Sequence, residues 1–118
     1  MRFPSLLPAL LLTAPLAPAQ EYVRVSPRDH RYLELTNGKP YIPIGLNMVA
    51  PPQAASAEES FRIFEDWLRN LSGNGGNYIR VWLSNPFWDV EHEKSGVYDP
   101  EQAKKIDRML ELSKRYGI

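Results

Sequence analysis

The chain has 118 residues, of which 43% are hydrophobic and 24% charged, a composition typical of a globular protein and not of a disordered one. Lys plus Arg and Asp plus Glu both number 14, so the formal charge is zero. This balance argues against a nucleic-acid partner and against an anionic membrane surface, since either would require a surplus of basic side chains on one face.

The N-terminal segment predicts a secretory signal peptide over residues 1–19. Arg2 gives a positive start, residues 6–16 are largely apolar, and Ala17-Pro18-Ala19 is the small-x-small pattern that precedes a cleavage site. A membrane anchor is the alternative, but the apolar run is too short to cross about 30 Å of hydrocarbon and contains prolines. We therefore expect a secreted or periplasmic protein, which without Cys must rely on its hydrophobic core instead of disulfides.

The segment after the signal predicts a β-hairpin. The runs YVRVS and RYLEL alternate as strands do, and Asn37-Gly38 after them favours a two-residue type I′ turn. Such a turn places Leu33 opposite Ile42. The returning chain then leads into a more buried strand over residues 42–47.

A helix is predicted next. Ser56 and Glu59 have the spacing of a capping box, and the glycines of SGNGG end the helix. One apolar face recurs at helical spacing and consists of Phe61, Phe64, Trp67, Leu68 and Leu71.

The segment NYIRVWL predicts a second strand, covered on both faces as in a parallel sheet. Alternation places Ile79, Val81 and Leu83 on one face and Tyr78, Arg80 and Trp82 on the other. A loop of about fifteen residues follows, longer than usual connections and therefore suggestive of function.

A second helix is predicted from Asp99-Pro100, a cap followed by a proline at the first helical position. Its expected buried stripe is Ala103, Ile106, Met109, Leu110, Ser113 and Tyr116. Strands that alternate with helices imply a parallel sheet. Because two parallel strands and two helices bury too little surface to be independent, we expect the chain to be part of a larger α/β protein.

Three stretches in order resemble a known enzyme family: GKPYIPIGLNM, GGNYIRVWLSNPFW and GVYDPEQAKKIDRMLELSKRYGI. Together they resemble the opening of cellulase-like glycoside hydrolases of the retaining (β/α)8-barrel clan, over nearly all of residues 32–118. Gly45-Leu46-Asn47 matches the end of the family's first barrel strand. The run from Gly75 to Arg80 matches the second strand with its spacing intact, whereas Trp82 stands where many members have a proline.

The resemblance implies an α/β fold: the N-terminal part of a (β/α)8 TIM barrel, incomplete, with the hairpin and the first two β/α units in residues 20–118. It also implies retaining hydrolysis of a β-linked glycan by two glutamates, which the family carries on strands four and seven. These strands would lie beyond Ile118, so no catalytic residue is expected in this chain. No cofactor is implied, and the expected partner is a polysaccharide or oligosaccharide.

Arg80 is the most specific part of the resemblance. In the family this arginine points into the barrel mouth and helps to keep the nucleophilic carboxylate ionised and oriented, as a guanidinium can by binding a carboxylate through two parallel hydrogen bonds. The alternative is that Arg80 pairs with a core carboxylate simply because a buried charge needs a partner. Either interpretation requires an acidic partner.

Asn47, Trp82 and Trp88 complete the predicted substrate-binding set with Arg80. Asn47 ends the first strand, where barrel active sites are built, although asparagine equally often serves a turn. Trp82 and Trp88 can stack on the apolar faces of pyranose rings, with core packing as the alternative. Phe87 is assigned to packing.

Other chemically capable side chains are interpreted as non-functional. Asp89, Glu91 and Glu93 are expected to be solvated surface charges. His30 and His92 are isolated and the chain has no Cys, so no metal site is expected.

The sequence therefore favours a secreted glycosidase that acts on a β-linked glycan. Two alternatives stay open at this point. One is a non-catalytic carbohydrate-binding or surface protein on a degenerate barrel, which would keep the aromatic residues and lack the glutamates. The other is a complete, small α/β binding domain.

Overall fold

The chain divides into two compact units, the second beginning at Ile42, in a computed structural model that describes residues 21–118. The predicted signal peptide lies outside the described residues. The described part of the first unit is an antiparallel sheet of three short strands, in the order β1–β2–β3. These are β1 (Val23–Val25), β2 (Leu33–Leu35) and β3 (Pro40–Tyr41).

The connection between β2 and β3 is a three-residue turn, not the predicted two-residue turn. Leu33 pairs with Tyr41, and the Leu35 N–H donates to the Lys39 carbonyl oxygen at 2.9 Å. Of the turn residues 36–38, only Gly38 has a positive φ, of 85°, whereas a type I′ turn needs positive φ at both central residues. The prediction that Leu33 lies opposite Ile42 is therefore wrong by one position.

A buried carboxylate holds the strands of the first unit together. Glu34 is only 2% exposed, and the guanidinium groups of Arg24 and Arg28 each lie 2.8 Å from one of its oxygens. The Ser26 hydroxyl donates to it at 2.9 Å. Hydrogen bonds from Arg24, then from Arg28 and Ser26, lower the pKa of Glu34 from 4.5 to about 2, so the group is ionised at neutral pH.

The second unit is built from two strands and two helices, in the order β4 (Gly45–Asn47), α1 (Ala57–Gly73), β5 (Tyr78–Arg80) and α2 (Pro100–Arg115). The predicted parallel pairing is present: β4 pairs with β5 in parallel, and α1 connects them. Both strands are shorter than the sequence suggested.

Both helices begin where the sequence predicts, because capping side chains accept hydrogen bonds from N–H groups of the first turn. The Ser56 hydroxyl accepts from the Glu59 N–H at 3.1 Å. The Asp99 carboxylate accepts from the Glu101 N–H at 2.8 Å. Helix α1 ends in the SGNGG segment, where Gly75 adopts a φ of 81°.

The core of the second unit joins both helices to residues that follow the strands. Its buried side chains are Met48, Phe61, Phe64, Leu68, Trp88, Met109 and Leu112. The predicted stripe of α2 is wrong at Leu110, which is 57% exposed. Leu112 is buried in its place, because positions 109, 112, 113 and 116 share a face at helical spacing.

Within the described residues, one face of β5 is covered and the other is exposed. Ile79 and Val81 pack against the core, and alternation places Tyr78, Arg80 and Trp82 on the opposite face. All three are exposed. The expectation of a strand covered on both faces is therefore wrong for this part of the chain, and the exposed face is the one that carries the predicted site residues.

Candidate functional site

The ends of the two parallel strands bring Asn47 and Arg80 together. Asn47 is the last residue of β4, Arg80 is the last residue of β5, and the two are directly paired in the ladder. Paired residues of neighbouring strands project to the same face, so the amide and the guanidinium are neighbours on the exposed face. Gly45 permits this close pairing, because a Cβ there would lie 1.7 Å from the Tyr78 carbonyl oxygen.

Trp82 extends the same face beyond the end of β5. Its backbone N–H donates to the Val49 carbonyl oxygen at 3.1 Å, which continues the strand pairing beyond the three residue pairs of the ladder. The Arg80 guanidinium carbon lies 5.7 Å from the centroid of the Trp82 ring, within the range of a cation–π contact. Trp82 nevertheless remains 45% exposed. We call the surface formed by Asn47, Arg80 and Trp82 the Arg80 face.

Arg80 has no carboxylate partner among residues 21–118. The arginine–carboxylate ion pairs in this range involve other arginines. Arg80 is exposed in the described residues, so its charge does not have to be compensated by a core carboxylate there. The alternative in which Arg80 pairs with a core carboxylate is therefore wrong for the described residues, and its guanidinium can receive a carboxylate or a ligand oxygen from outside them.

Trp88 does not belong to the Arg80 face. Its side chain is 0% exposed, its indole N–H donates to the Val49 carbonyl oxygen at 3.0 Å, and its ring meets those of Phe61 and Phe64 edge to face at 5.9 and 5.8 Å. A buried ring offers no surface on which a sugar can stack. The prediction that Trp88 binds substrate is therefore wrong, and core packing is its role.

Tyr78 lies on the same face as Arg80 and Trp82, although the sequence motifs do not predict it as a site residue. It is 42% exposed and pairs with Gly45 across the ladder, so no side chain on β4 covers it from that position. The signal was available in the alternation of Tyr78, Arg80 and Trp82. Two aromatic rings, those of Tyr78 and Trp82, therefore lie on the same face of β5 as the Arg80 guanidinium.

The acidic side chains of the long loop organise the loop itself. Asp89 accepts from the Glu91 N–H at 3.0 Å, and the Glu91 carboxylate accepts from the Gly96 N–H. Glu93 is exposed. Phe87 packs against the core as expected, with the Lys105 ammonium 4.8 Å from its ring centroid. These contacts give the loop acids local structural partners.

An open cavity of about 770 Å³ lies beside β4 and is bordered by Asn47. Among residues 21–118 no charged side chain lines this cavity, and its lining includes Leu46, Met48, Trp67 and Leu71. A lining of this kind favours burial of an apolar group and offers no acid or base for chemistry.

The described residues supply no group of three or more His, Asp or Glu side chains that could hold a metal ion. The His92 Nδ1 lies 3.2 Å from the Asp89 carbonyl oxygen, which fits a role in loop structure. In residues 21–118 we also find no helix with the length and apolar character needed to cross a membrane.

Comparison of the chain with protein-family models, with curated proteins and with solved structures found no match in any of the three. Support for a function therefore comes from the sequence motifs and from the geometry of the Arg80 face.

Proposed function

We propose that the chain is the N-terminal part of a secreted glycoside hydrolase that cleaves the O-glycosidic bonds of a β-linked glycan with retention. The observation that carries the proposal is the juxtaposition of Asn47, Arg80 and Trp82 on one exposed face, at the carboxyl ends of two parallel strands. In (β/α)8 barrels the active-site residues come from the carboxyl ends of the strands. The cellulase-like resemblance of the same segments supports this chemistry.

Each residue of the Arg80 face has a role that its chemistry allows. The half-exposed Trp82 ring can stack on the apolar C–H face of a pyranose, and the Asn47 amide can donate to and accept from sugar hydroxyl groups. The Arg80 guanidinium can hold a carboxylate through two hydrogen bonds and lower its pKa. Arg80 then supports the nucleophile, and Asn47 and Trp82 bind the substrate.

The proposed reaction needs two carboxyl groups about 5 Å apart, one as nucleophile and one as acid and base. We propose that both are glutamates from segments outside these 118 residues. Within residues 21–118 the Arg80 guanidinium has no carboxylate partner, which supports this arrangement because a cation is available for a carboxylate. In the proposed barrel, β4 and β5 are the first two strands, and the three-stranded sheet is an N-terminal addition.

A non-catalytic carbohydrate-binding protein is the second candidate. It is favoured by one observation: the described residues present an exposed ring, a guanidinium and an amide together, without a pair of carboxylates beside them. Those three groups suffice to bind a glycan. Binding without bond cleavage would separate this candidate from the hydrolase.

The test is the release of reducing ends from soluble β-glucan, β-mannan and β-xylan by the full-length protein, with proton NMR of the first product. Retention predicts that the β-anomer appears first. Arg80→Ala should lower kcat by about a hundredfold or more, since loss of one preorganised electrostatic contact at a reacting group costs about that much. Arg80→Lys should recover part of the rate, because lysine keeps the charge and lacks the fork.

Arg62→Ala is the matched control, because Arg62 is an exposed arginine of α1 that lies 3.6 Å from Glu59. Its activity should equal that of the wild type. Binding of a glycan with no release of reducing ends would overturn the hydrolase in favour of the binding protein. Full activity of Arg80→Ala would remove Arg80 from the site.

A further inference from the structure

The side chain of Asn77 ties the segment before β4 to the start of β5. Its Oδ1 accepts from the Ile44 N–H at 2.8 Å, and its Nδ2 donates to the Ile42 carbonyl oxygen at 3.0 Å. Its own backbone N–H donates to the Ile44 carbonyl oxygen at 2.8 Å. The carboxamide thus acts as an additional peptide group, which extends the strand pairing back to Ile42 ahead of the three-residue ladder.

This contact bears directly on register. The ladder pairs Gly45 with Tyr78 and Asn47 with Arg80, and a slip of one residue would move every side chain of β4 to the opposite face. A ladder of three residue pairs is short. The Asn77 amide bonds to both a donor and an acceptor at one end of this ladder, and it can do so in only one alignment of the strands. A slipped alignment would give those Asn77 groups no matching partners at the same positions.

Gly45 reinforces the same alignment from the other strand. A Cβ at that position would lie 1.7 Å from the Tyr78 carbonyl oxygen, so only glycine can occupy the place opposite Tyr78. A slip would bring Ile44 or Leu46 there, and either side chain would collide with the backbone of β5. Asn77 therefore stabilises the observed register through its hydrogen bonds. Gly45 disfavours a slipped register, because Ile44 or Leu46 does not fit opposite Tyr78.

We infer that Asn77 is a positioning residue for the Arg80 face: it fixes the β4–β5 register that sets the Asn47 amide beside the Arg80 guanidinium. Asn77 itself does not contact the ligand in this arrangement. The inference rests on the proposed function insofar as the Arg80 face binds a glycan, whereas the effect on register stands without any ligand.

Asn77→Asp tests the inference with little change in shape. Aspartate keeps an acceptor for the Ile44 N–H, but it loses the donor and sets a charge near the Ile42 carbonyl oxygen. Asn74→Asp is the matched control, because Asn74 donates from its side chain to the Asn70 carbonyl oxygen at 2.7 Å. The same substitution there also removes one side-chain-to-backbone bond, but it does so at the end of α1.

Two measurements on the full-length protein are needed: the cross-strand nuclear Overhauser contacts between residues 47 and 80 without ligand, and the affinity for β-linked hexasaccharides of glucose, mannose and xylose. Asn77→Asp should lose or weaken the contacts and lower the affinity about tenfold or more, since each hydrogen bond to the ligand that is lost by misalignment costs about that factor. Asn74→Asp should change neither. Acidification should restore the Asn77→Asp contacts as its carboxyl group gains a proton and can donate again.

Wild-type contacts between residues 47 and 80 in a folded Asn77→Asp variant would overturn the inference, whether or not a glycan binds. A wild type that binds none of the hexasaccharides would count against the proposed function, while loss of the contacts in the variant would still support positioning by Asn77. Should Asn77→Asp fail to fold, Asn77→Ala removes both the acceptor and the donor without an added charge and allows the same comparison of contacts.

Discussion

Trp82 and Trp88 flank one short turn, yet their surroundings assign them different roles. Trp82 continues the exposed face of β5 and is 45% exposed, whereas Trp88 is fully buried among the rings that line α1. The sequence identifies Trp82 correctly as a neighbour of Arg80, because alternation along a strand is a local rule. It cannot place Trp88, because the path of an irregular loop depends on the partners available after folding.

The burial of Trp88 predicts a stability effect that Trp82 should not share. Trp88→Phe removes the indole hydrogen bond to Val49 and leaves a void, so it should lower the free energy of unfolding by about 1–3 kcal/mol. Trp82→Phe at the exposed position should change it by no more than about 0.5 kcal/mol. Urea unfolding of both variants followed by circular dichroism measures the difference, and equal losses would contradict the assigned burial.

In the N-terminal sheet, the turn residues predict the position of the turn between β2 and β3 but not its length. Asn37-Gly38 correctly marks the reversal between β2 and β3. The positive φ at Gly38 alone, however, gives a three-residue turn and shifts the register by one position. The choice between these turns depends on which cross-strand contacts they allow. Arg24, Ser26 and Arg28 donate hydrogen bonds to Glu34 in the folded sheet. The sequence pattern alone does not predict these contacts.

The ionised Glu34 predicts that acid weakens this sheet. Its pKa is about 2 in the fold against 4.5 ordinarily, so between these values the unfolded chain binds more protons than the folded one. The stabilisation is complete above about pH 4.5 and is lost as the pH falls towards 2. A carbon NMR titration of the Glu34 carboxyl group in the full-length protein measures this pKa directly.

Glu34→Gln is the control for the acid effect. It removes the titrating group, so its stability should be lower than wild type at neutral pH and should fall less between pH 4.5 and 2. A Glu34 carboxyl group that titrates near its ordinary value would show that the bonds from Arg24 and Arg28 do not persist in solution.

The helices were the most predictable elements, and the reason is physical. Ser56 and Asp99 cap their helices through bonds to residues two or three positions away, so the signal is wholly local. The buried stripe of α2 is a tertiary property, because the rotation of the helix about its axis decides whether Leu110 or Leu112 faces the core. The helical periodicity is compatible with either leucine in the core, and in the structure Leu112 is the buried one.

For the whole molecule, the order of elements predicted the parallel pairing of β4 and β5, since strands joined by a helix have few other arrangements. The neighbouring positions of Asn47 and Arg80 follow from that pairing and its register. The hydrogen bonds of the Asn77 side chain to the segment before β4 were not predictable, because asparagine side chains bond to the backbone in many different local structures. The absence of a carboxylate beside Arg80 in the described residues was likewise not predictable, because it depends on how distant segments pack.

An NMR titration of the full-length protein with β-linked hexasaccharides of glucose, mannose and xylose asks whether the Arg80 face binds a glycan. We predict that at least one of them shifts the Arg80 side-chain N–H and Trp82 indole N–H signals with a common saturation curve, while the buried Trp88 indole signal stays in place. Binding that leaves the Arg80 and Trp82 signals unchanged, or no binding by any of the three, would contradict the proposal that the Arg80 face binds a glycan.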